Sequence, residues 1–274
     1  MDNKYFINFN IPREKLQNLD ELALLAQIMF WAHDLDKNLS GGFRRGKTEL
    51  LKKSSLLSLR TAVYKKKYDE NCVAYKWGLR IQELCNKAIN SETGYKYPFS
   101  KKIEINIPHG ELDNLVKGRR SIRTYTGENI SNELIMKILE YGSWAPSNCN
   151  EQALRYYVIQ NKESRAKIKR TGIDIDHAAC VIAVLADLRL YSDLDIECAC
   201  HDSGAAIQNI LLACHYFGLG ACYISDKGVD SDNVRSLIPI NEYEKVTALI
   251  SIGHYDKLPI VPERIEIRKL VRFC

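Results

Sequence analysis

The chain has 274 residues, 46% hydrophobic and 27% charged, the balance of an ordinary globular protein long enough for one large domain with a substantial appendage. A formal charge of +5 is too mild to argue for nucleic acid, and no stretch reaches the apolar length of a membrane span. The polar opening Met1-Asp2-Asn3-Lys4 lacks a signal peptide's apolar core, and the nine cysteines are odd in number, with Cys180 and Cys214 inside apolar runs; both point to free buried thiols in the cytoplasm.

From the amino end the pattern is helical. Leu22, Leu24, Leu25, Ile28 and Met29 form an apolar band ending at Trp31-Ala32-His33. A loop at Ser40-Gly41-Gly42 precedes a Lys- and Leu-rich stretch over 47–67, and a second periodic stretch carries Tyr75, Leu79, Ile81, Leu84 and Ala88. Residues 91–108, with Gly94, Pro98 and Pro108, read as a connector, which divides the chain into a helical extension over 1–110 and a second unit over 111–274. There, Ser131 is placed to N-cap a helix over 132–141, with Ile130 and Ile135 as a hydrophobic staple. Residues 155–160 alternate as a strand, and the apolar run 178–185 suits a strand covered on both faces. A helix over about 195–217 ends at Gly218, strands follow over 221–225 and 246–252, and Asp230 or Ser231 caps a short helix that stops before Pro239. Helices on both faces of a mixed sheet are the expected layers.

Three local patterns carry chemistry. Arg119-Arg120-Ser121-Ile122-Arg123-Thr124-Tyr125 sets three guanidiniums and a hydroxyl within five residues, a donor set able to converge on a phosphate. On charge alone, a solvated basic run accounts for it more simply. Ala145-Pro146-Ser147-Asn148-Cys149-Asn150-Glu151-Gln152 lies between a helix and a strand, where small polar side chains and open backbone can hydrogen-bond the edge of a flat heterocycle. In isolation it is an ordinary polar loop. Asp202-Ser203-Gly204-Ala205-Ala206-Ile207-Gln208-Asn209 gives its helix a slim face; it reads equally as a buried core helix with Asp202 and Asn209 satisfied by hydrogen bonds.

Taken in order, these motifs, with Gly218-Leu219-Gly220 and a strand ending Ile252-Gly253, resemble the FMN-dependent nitroreductase family over residues 111–274. The resemblance implies an α+β fold: a mixed, mainly antiparallel sheet flanked by helices, here with an α-helical N-terminal extension. It also implies a homodimer with exchanged terminal segments and FMN at each end of the interface. It sets Arg119, Arg120, Ser121 and Arg123 around the FMN phosphate, ribityl chain and ring edge. Pro146, Ser147, Asn148, Asn150 and Gln152 then reach the flavin of the other subunit. Tyr223, Ile224 and Ser225 match the strand whose backbone runs beside the reactive flavin nitrogen, and Arg264 matches a late arginine that grips the phosphate. Two departures stand out. Ala153 and Leu154 replace the usual Pro and aromatic after Gln152, and Cys149 takes a position where Thr, Gly or another small residue is usual.

The implied activity is ping-pong transfer of two electrons from NAD(P)H through FMN to a small organic acceptor, nitro, quinone-like or pathway-specific. No side-chain nucleophile is required, and Arg123 is the candidate to stabilise charge on the reduced flavin. The alternatives are an FMN-dependent dehydrogenase acting on a biosynthetic intermediate, such as one of a polysaccharide pathway, and a non-catalytic binding module on the same scaffold. Cys198, Cys200 and His201 are not expected to hold a metal, because the two cysteines point about 200° apart on a helix. His33-Asp34-Leu35-Asp36-Lys37-Asn38-Leu39 is partly similar to a His-x-Leu-Glu-Lys-Gly-Leu motif of longer nitroreductase-like proteins; it reads as a lid over the flavin or as a brace for the extension. Lys52, Lys53, Arg60 and Lys65–Lys67 read as a solvated basic face, with contact to an anionic partner as the alternative. Small-molecule substrates are expected, with neither nucleic acid nor membrane as a partner.

Overall fold

A computed structural model of the chain describes residues 4–41, 46–91, 95–104, 107–192, 197–225 and 228–274. Gly42, Gly94 and the expected helix start at 195 lie outside the described residues. The N-terminal part holds a one-turn helix α1 (Arg13–Leu16) and three long helices, α2 (Glu21–Ser40), α3 (Gly46–Lys67) and α4 (Val73–Asn90). Asp20 starts α2 by accepting the Ala23 amide at 2.9 Å. Leu24, Ile28, Leu35 and Leu39 of α2 pack with Leu57 and Tyr64 of α3 and with Tyr75, Ile81 and Cys85 of α4. The helices approach closely at Gly78, where a Cβ would stand 2.5 Å from Ile28 Cγ2.

Arg60 departs from the solvated basic face expected of it. It is fully buried, and its guanidinium donates to Gln27 Oε1 at 3.1 Å, to the Leu56 carbonyl at 2.9 Å and to the Phe9 carbonyl. It also lies over the Trp31 ring, 5.7 Å from the centroid. Burial pulls its pKa down to about 10. Lys53 is likewise drawn inward, onto Asp34 at 2.5 Å. Lys52 and Lys65–Lys67 remain exposed.

The second half builds one sheet from β1 (Leu154–Ile159), β2 (Cys180–Asp187), β3 (Gly220–Ile224) and β4 (Glu244–Gly253), in the order β1-β2-β4-β3 and antiparallel between neighbours. A parallel bridge from Ser121 to Ala221 extends it beyond β3 and makes it mixed. The remaining helices are α5 (His109–Gly118), α6 (Asn132–Ser143), α7 (Lys162–Ala166), α8 (Cys198–Tyr216), α9 (Asp232–Arg235) and α10 (Ile267–Leu270). Ser131 and Ser231 cap α6 and α9 as read from the sequence, and Gly218 closes α8 at φ 73°. Ile182, Val184, Ala248 and Ile250 pack under α6 and α8 on one face. Val181, Ala183, Leu185 and Leu249 meet Ile168, Ile175, Val234 and Ile238 on the other, so both faces are covered. Among the described residues, no helix is long and apolar enough to cross a membrane.

The helical part and the sheet meet along α2. Ala26 is buried with Ala153, Ala186, Leu190, Tyr191 and Ala199, and α2 packs on the turn Asn148–Asn150. This second contact explains why α2 is apolar nearly all round rather than on one stripe. At its start, Asp20 also pairs with Arg189, which in turn holds Asp187 at 2.7 Å and stacks 3.8 Å over the Tyr243 ring.

Asp20 therefore caps a helix and ties it to the sheet. Burial raises its carboxyl pKa, but Arg189 and the Ala23 amide outweigh that, and the net value lies below the ordinary one. A depressed folded value means the contribution is present above the unfolded carboxylate pKa and is lost as pH falls through the folded one. Asp20→Ala is expected to cost about 1 kcal/mol or more at pH 7 in urea unfolding. The gap from wild type should shrink below about pH 4, near the ordinary aspartate pKa.

Candidate functional site

At the β3 edge, the segment after α5 is laid against the sheet by backbone contacts. The Ile122 amide donates to the Ala221 carbonyl at 3.0 Å, and the Thr126 amide to the His254 carbonyl at 2.9 Å. Gly220 makes this possible, since a Cβ there would stand 2.7 Å from Ile122 Cβ. The buried Tyr125 hydroxyl pins the far end, 2.8 Å from the Ile122 carbonyl and 2.7 Å from Ser251 Oγ. Burial pushes that phenol well above its usual range.

The bracing gathers cations. Arg119, half-buried at the C-cap of α5, has its pKa lowered by burial and then by the nearby Arg264 and Arg120. Among the described residues, neither Arg119 nor Arg264 pairs with a carboxylate. Arg120 turns back to donate to the carbonyls of Lys117 at 2.5 Å and Arg119 at 2.9 Å, and its buried Nε has no partner among the described residues. Arg123 is exposed, with one contact to the Ser121 carbonyl at 3.3 Å. Burial raises the Cys222 thiol pKa, and the positive charges of Arg123 and Arg119 partly offset the rise, so both guanidiniums lie in the neighbourhood of β3. Tyr223 and Ser225 are exposed beside them; Ile224 is buried and offers only backbone. Mutually repelling guanidiniums without carboxylate partners fit a dianionic group such as a phosphate monoester.

The second set of residues lies elsewhere. Pro146, Ser147, Asn148, Asn150 and Gln152 form a turn entering β1, with the Asn150 amide on the Ser147 carbonyl at 3.0 Å and the Gln152 amide 3.3 Å from Ser147 Oγ. Beside it is a cavity of about 130 Å³, lined by Gly142, Ala145, Pro146, Ser147, Tyr156 and Asp202. Asp202 accepts the Asn148 amide at 3.0 Å and the Tyr191 hydroxyl at 2.9 Å. Burial raises its carboxyl pKa, and those two donors partly offset the rise. Asn209 is satisfied as expected, donating to the Tyr141 carbonyl at 3.2 Å.

One chain does not bring the two sets together. Ala221 pairs with Ile252 at one end of β4, and Leu154 is joined through Ala186 to Lys245 at the other. The two corners are thus separated by most of a strand's length and three inter-strand steps, on the order of 25 Å. Between α5, α6 and α8 the surface is apolar. A groove of about 320 Å³ is lined by Leu115, Tyr141, Trp144, Leu212 and Tyr216, and Trp144 is 81% exposed. The C-terminal tail is exposed from Leu258 onward, with Ile260 and Phe273 more than nine-tenths open. Sequence reasoning missed Tyr191, which sits in no motif, and the role of Gly220, whose signal was its place in Gly-Leu-Gly directly before a strand.

The Nitroreductase family model matches residues 116–171 and 169–254, leaving the N-terminal helices outside the match. A protein of Archaeoglobus fulgidus named as an NADH dehydrogenase/NAD(P)H nitroreductase is 32% identical over 149 residues, 53% of this chain and 85% of that one. The NADPH-flavin oxidoreductase of Vibrio harveyi is 24% identical over 57% of this chain and 70% of its own length. A solved nitroreductase from Desulfovibrio desulfuricans in complex with FMN is 30% identical, with a TM-score of 0.52 over 58% of this chain and 93% of that chain.

Gly220→Ala would drive a methyl into Ile122 and lift the arginine segment from β3. Overpacking of this kind costs about 1–3 kcal/mol. The expected result is a lowered melting temperature together with weaker binding of inorganic phosphate or a phosphate monoester, read by calorimetry.

Proposed function

The chain belongs to the nitroreductase family, and from that premise we propose that it is a homodimeric FMN-dependent NAD(P)H oxidoreductase of the cytoplasm. In this reading residues 111–274 form the FMN-binding unit and residues 1–110 a helical extension appended to it. When bound, FMN would supply the two-electron chemistry linking NAD(P)H to a small nitro, quinone-like or pathway-specific acceptor, in a ping-pong order. The observation that carries the reading is that Arg119 lies near Arg264 and Arg120, with neither Arg119 nor Arg264 paired to a carboxylate among the described residues.

The roles of the chain's own residues follow from their positions. Arg119 and Arg264 hold the phosphate, joined by the Ser121 hydroxyl, while Arg120 fixes the end of α5 that presents them. Arg123, exposed and next to β3, is placed to stabilise negative charge at the ring edge. The backbone of Tyr223–Ser225, at the end of β3, would line the flavin ring. Pro146, Ser147, Asn148, Asn150 and Gln152 of the partner's turn complete the pocket, because both faces of the sheet are packed and no path crosses it within one chain. A second copy covers the apolar groove at Trp144 and Tyr216 and receives the open C-terminal tail.

The purified protein should be yellow, and NADH or NADPH added without oxygen should bleach the flavin band. A band that neither nucleotide bleaches would overturn the NAD(P)H half of the reading. Arg119→Ala should weaken FMN binding by roughly 10- to 100-fold, the loss of a charge-assisted contact. Full flavin occupancy after purification would contradict its phosphate role.

A further inference from the structure

The turn that precedes β1 has an unusual backbone. Cys149, Asn150 and Gln152 lie in the left-handed region at φ 45°, 55° and 53°. Three non-glycine residues hold such conformations together only when their surroundings over-determine them. Those surroundings can be traced. Asp202 of α8, 7% exposed, accepts the Asn148 amide through both oxygens, at 3.0 and 3.1 Å. The fully buried Tyr191 donates its hydroxyl to Oδ2 of the same carboxylate at 2.9 Å. The Tyr191 side chain belongs to the buried cluster of Ala26, Ala153 and Ala199, and α2 itself rests on the turn. Small side chains at Ala26 and Ala153 let helix and strand close on each other there. Arg189, two residues before Tyr191, is tied to the N-terminal part by the Ile7 amide at 2.8 Å and by Asp20.

We infer that the N-terminal helix α2 is a working part of the cofactor site: it seats Tyr191 against Asp202, and Asp202 sets the turn that faces the flavin of the partner subunit. The inference rests on the flavin reading above and adds to it a segment that the family match does not reach. Tyr191 and Asp202 act through the turn and not on the flavin, so they are positioning residues. Ala26 belongs to the same device from the other side, by packing alone.

The test is a titration of the apoprotein with FMN, followed by flavin fluorescence, at a temperature well below unfolding. Tyr191→Phe keeps the ring and removes only the hydroxyl; FMN should bind about 5- to 10-fold more weakly, the effect of one net hydrogen bond. The visible circular dichroism of bound flavin should change with it. Ala26→Leu should shift both readouts in the same direction, whereas Val73→Ser, on the open side of α4, should shift neither. If Tyr191→Phe and Ala26→Leu lower the melting temperature but keep wild-type affinity and dichroism, their role is merely structural and the inference fails. Should either variant not fold, hydrogen exchange at the Asn148 amide of the wild type decides. Slow exchange supports the device, and exchange at the rate of an open loop overturns it. Wild type that binds no FMN would sink the flavin reading itself, an outcome separate from wild type that binds while the variants bind equally well.

Discussion

A ligand cannot pass through a sheet that is packed on both faces, and the rest of this molecule is arranged around that constraint. Every position of β2 is buried, and β4 is buried over its last six residues. The arginine cluster lies at the β3 corner and the polar turn at the β1 corner, with the packed strands between them. In the proposed dimer, these two sets meet around the outside of the sheet, across the subunit interface. Trp144, Tyr216 and the C-terminal Ile260 and Phe273 are left exposed, apolar surface that the proposed dimer would cover. In the proposed dimer, affinity for the cofactor and affinity between subunits are one linked quantity.

Holding arginines near one another needs support. Coulomb repulsion between Arg119, Arg120 and Arg264 opposes the cluster, and the fold supplies the opposing work by packing. Ile122 against Gly220, Tyr125 beneath Ser251 and Arg120 turned onto the end of α5 are the contacts that do so. At the other corner the strained turn is held by a carboxylate that accepts its backbone and by a helix that comes from outside the matched family region. The extension is thereby joined to the site by packing and not by a tether alone.

Much of this was legible in the sequence, where local physics dominates. Ser131, Ser231 and Gly218 mark helix ends because capping depends on a few neighbouring atoms. The run 178–185 marks the central strand because only burial on both faces tolerates it. What escaped was set by distant partners. Arg60 has the look of a surface cation, and only the Phe9 carbonyl and Gln27, brought in from other segments, make its burial affordable. Tyr191 has no local pattern, since its role is defined by Asp202 and Ala26. The second apolar face of α2, formed by Ala23, Ala26 and Met29, was the readable sign that this helix is covered on two sides.

The central claim is that each flavin site takes its arginines from one protomer and its turn from the other, and subunit exchange tests it most directly. Arg119→Ala removes the first half and Ser147→Tyr obstructs the second, so each variant alone should bind little FMN. Mixed after reversible dissociation, they should recover about a quarter of wild-type FMN capacity, because half of the re-formed dimers are mixed and each of those carries one intact site. Recovery no greater than the average of the two separate variants would contradict the account.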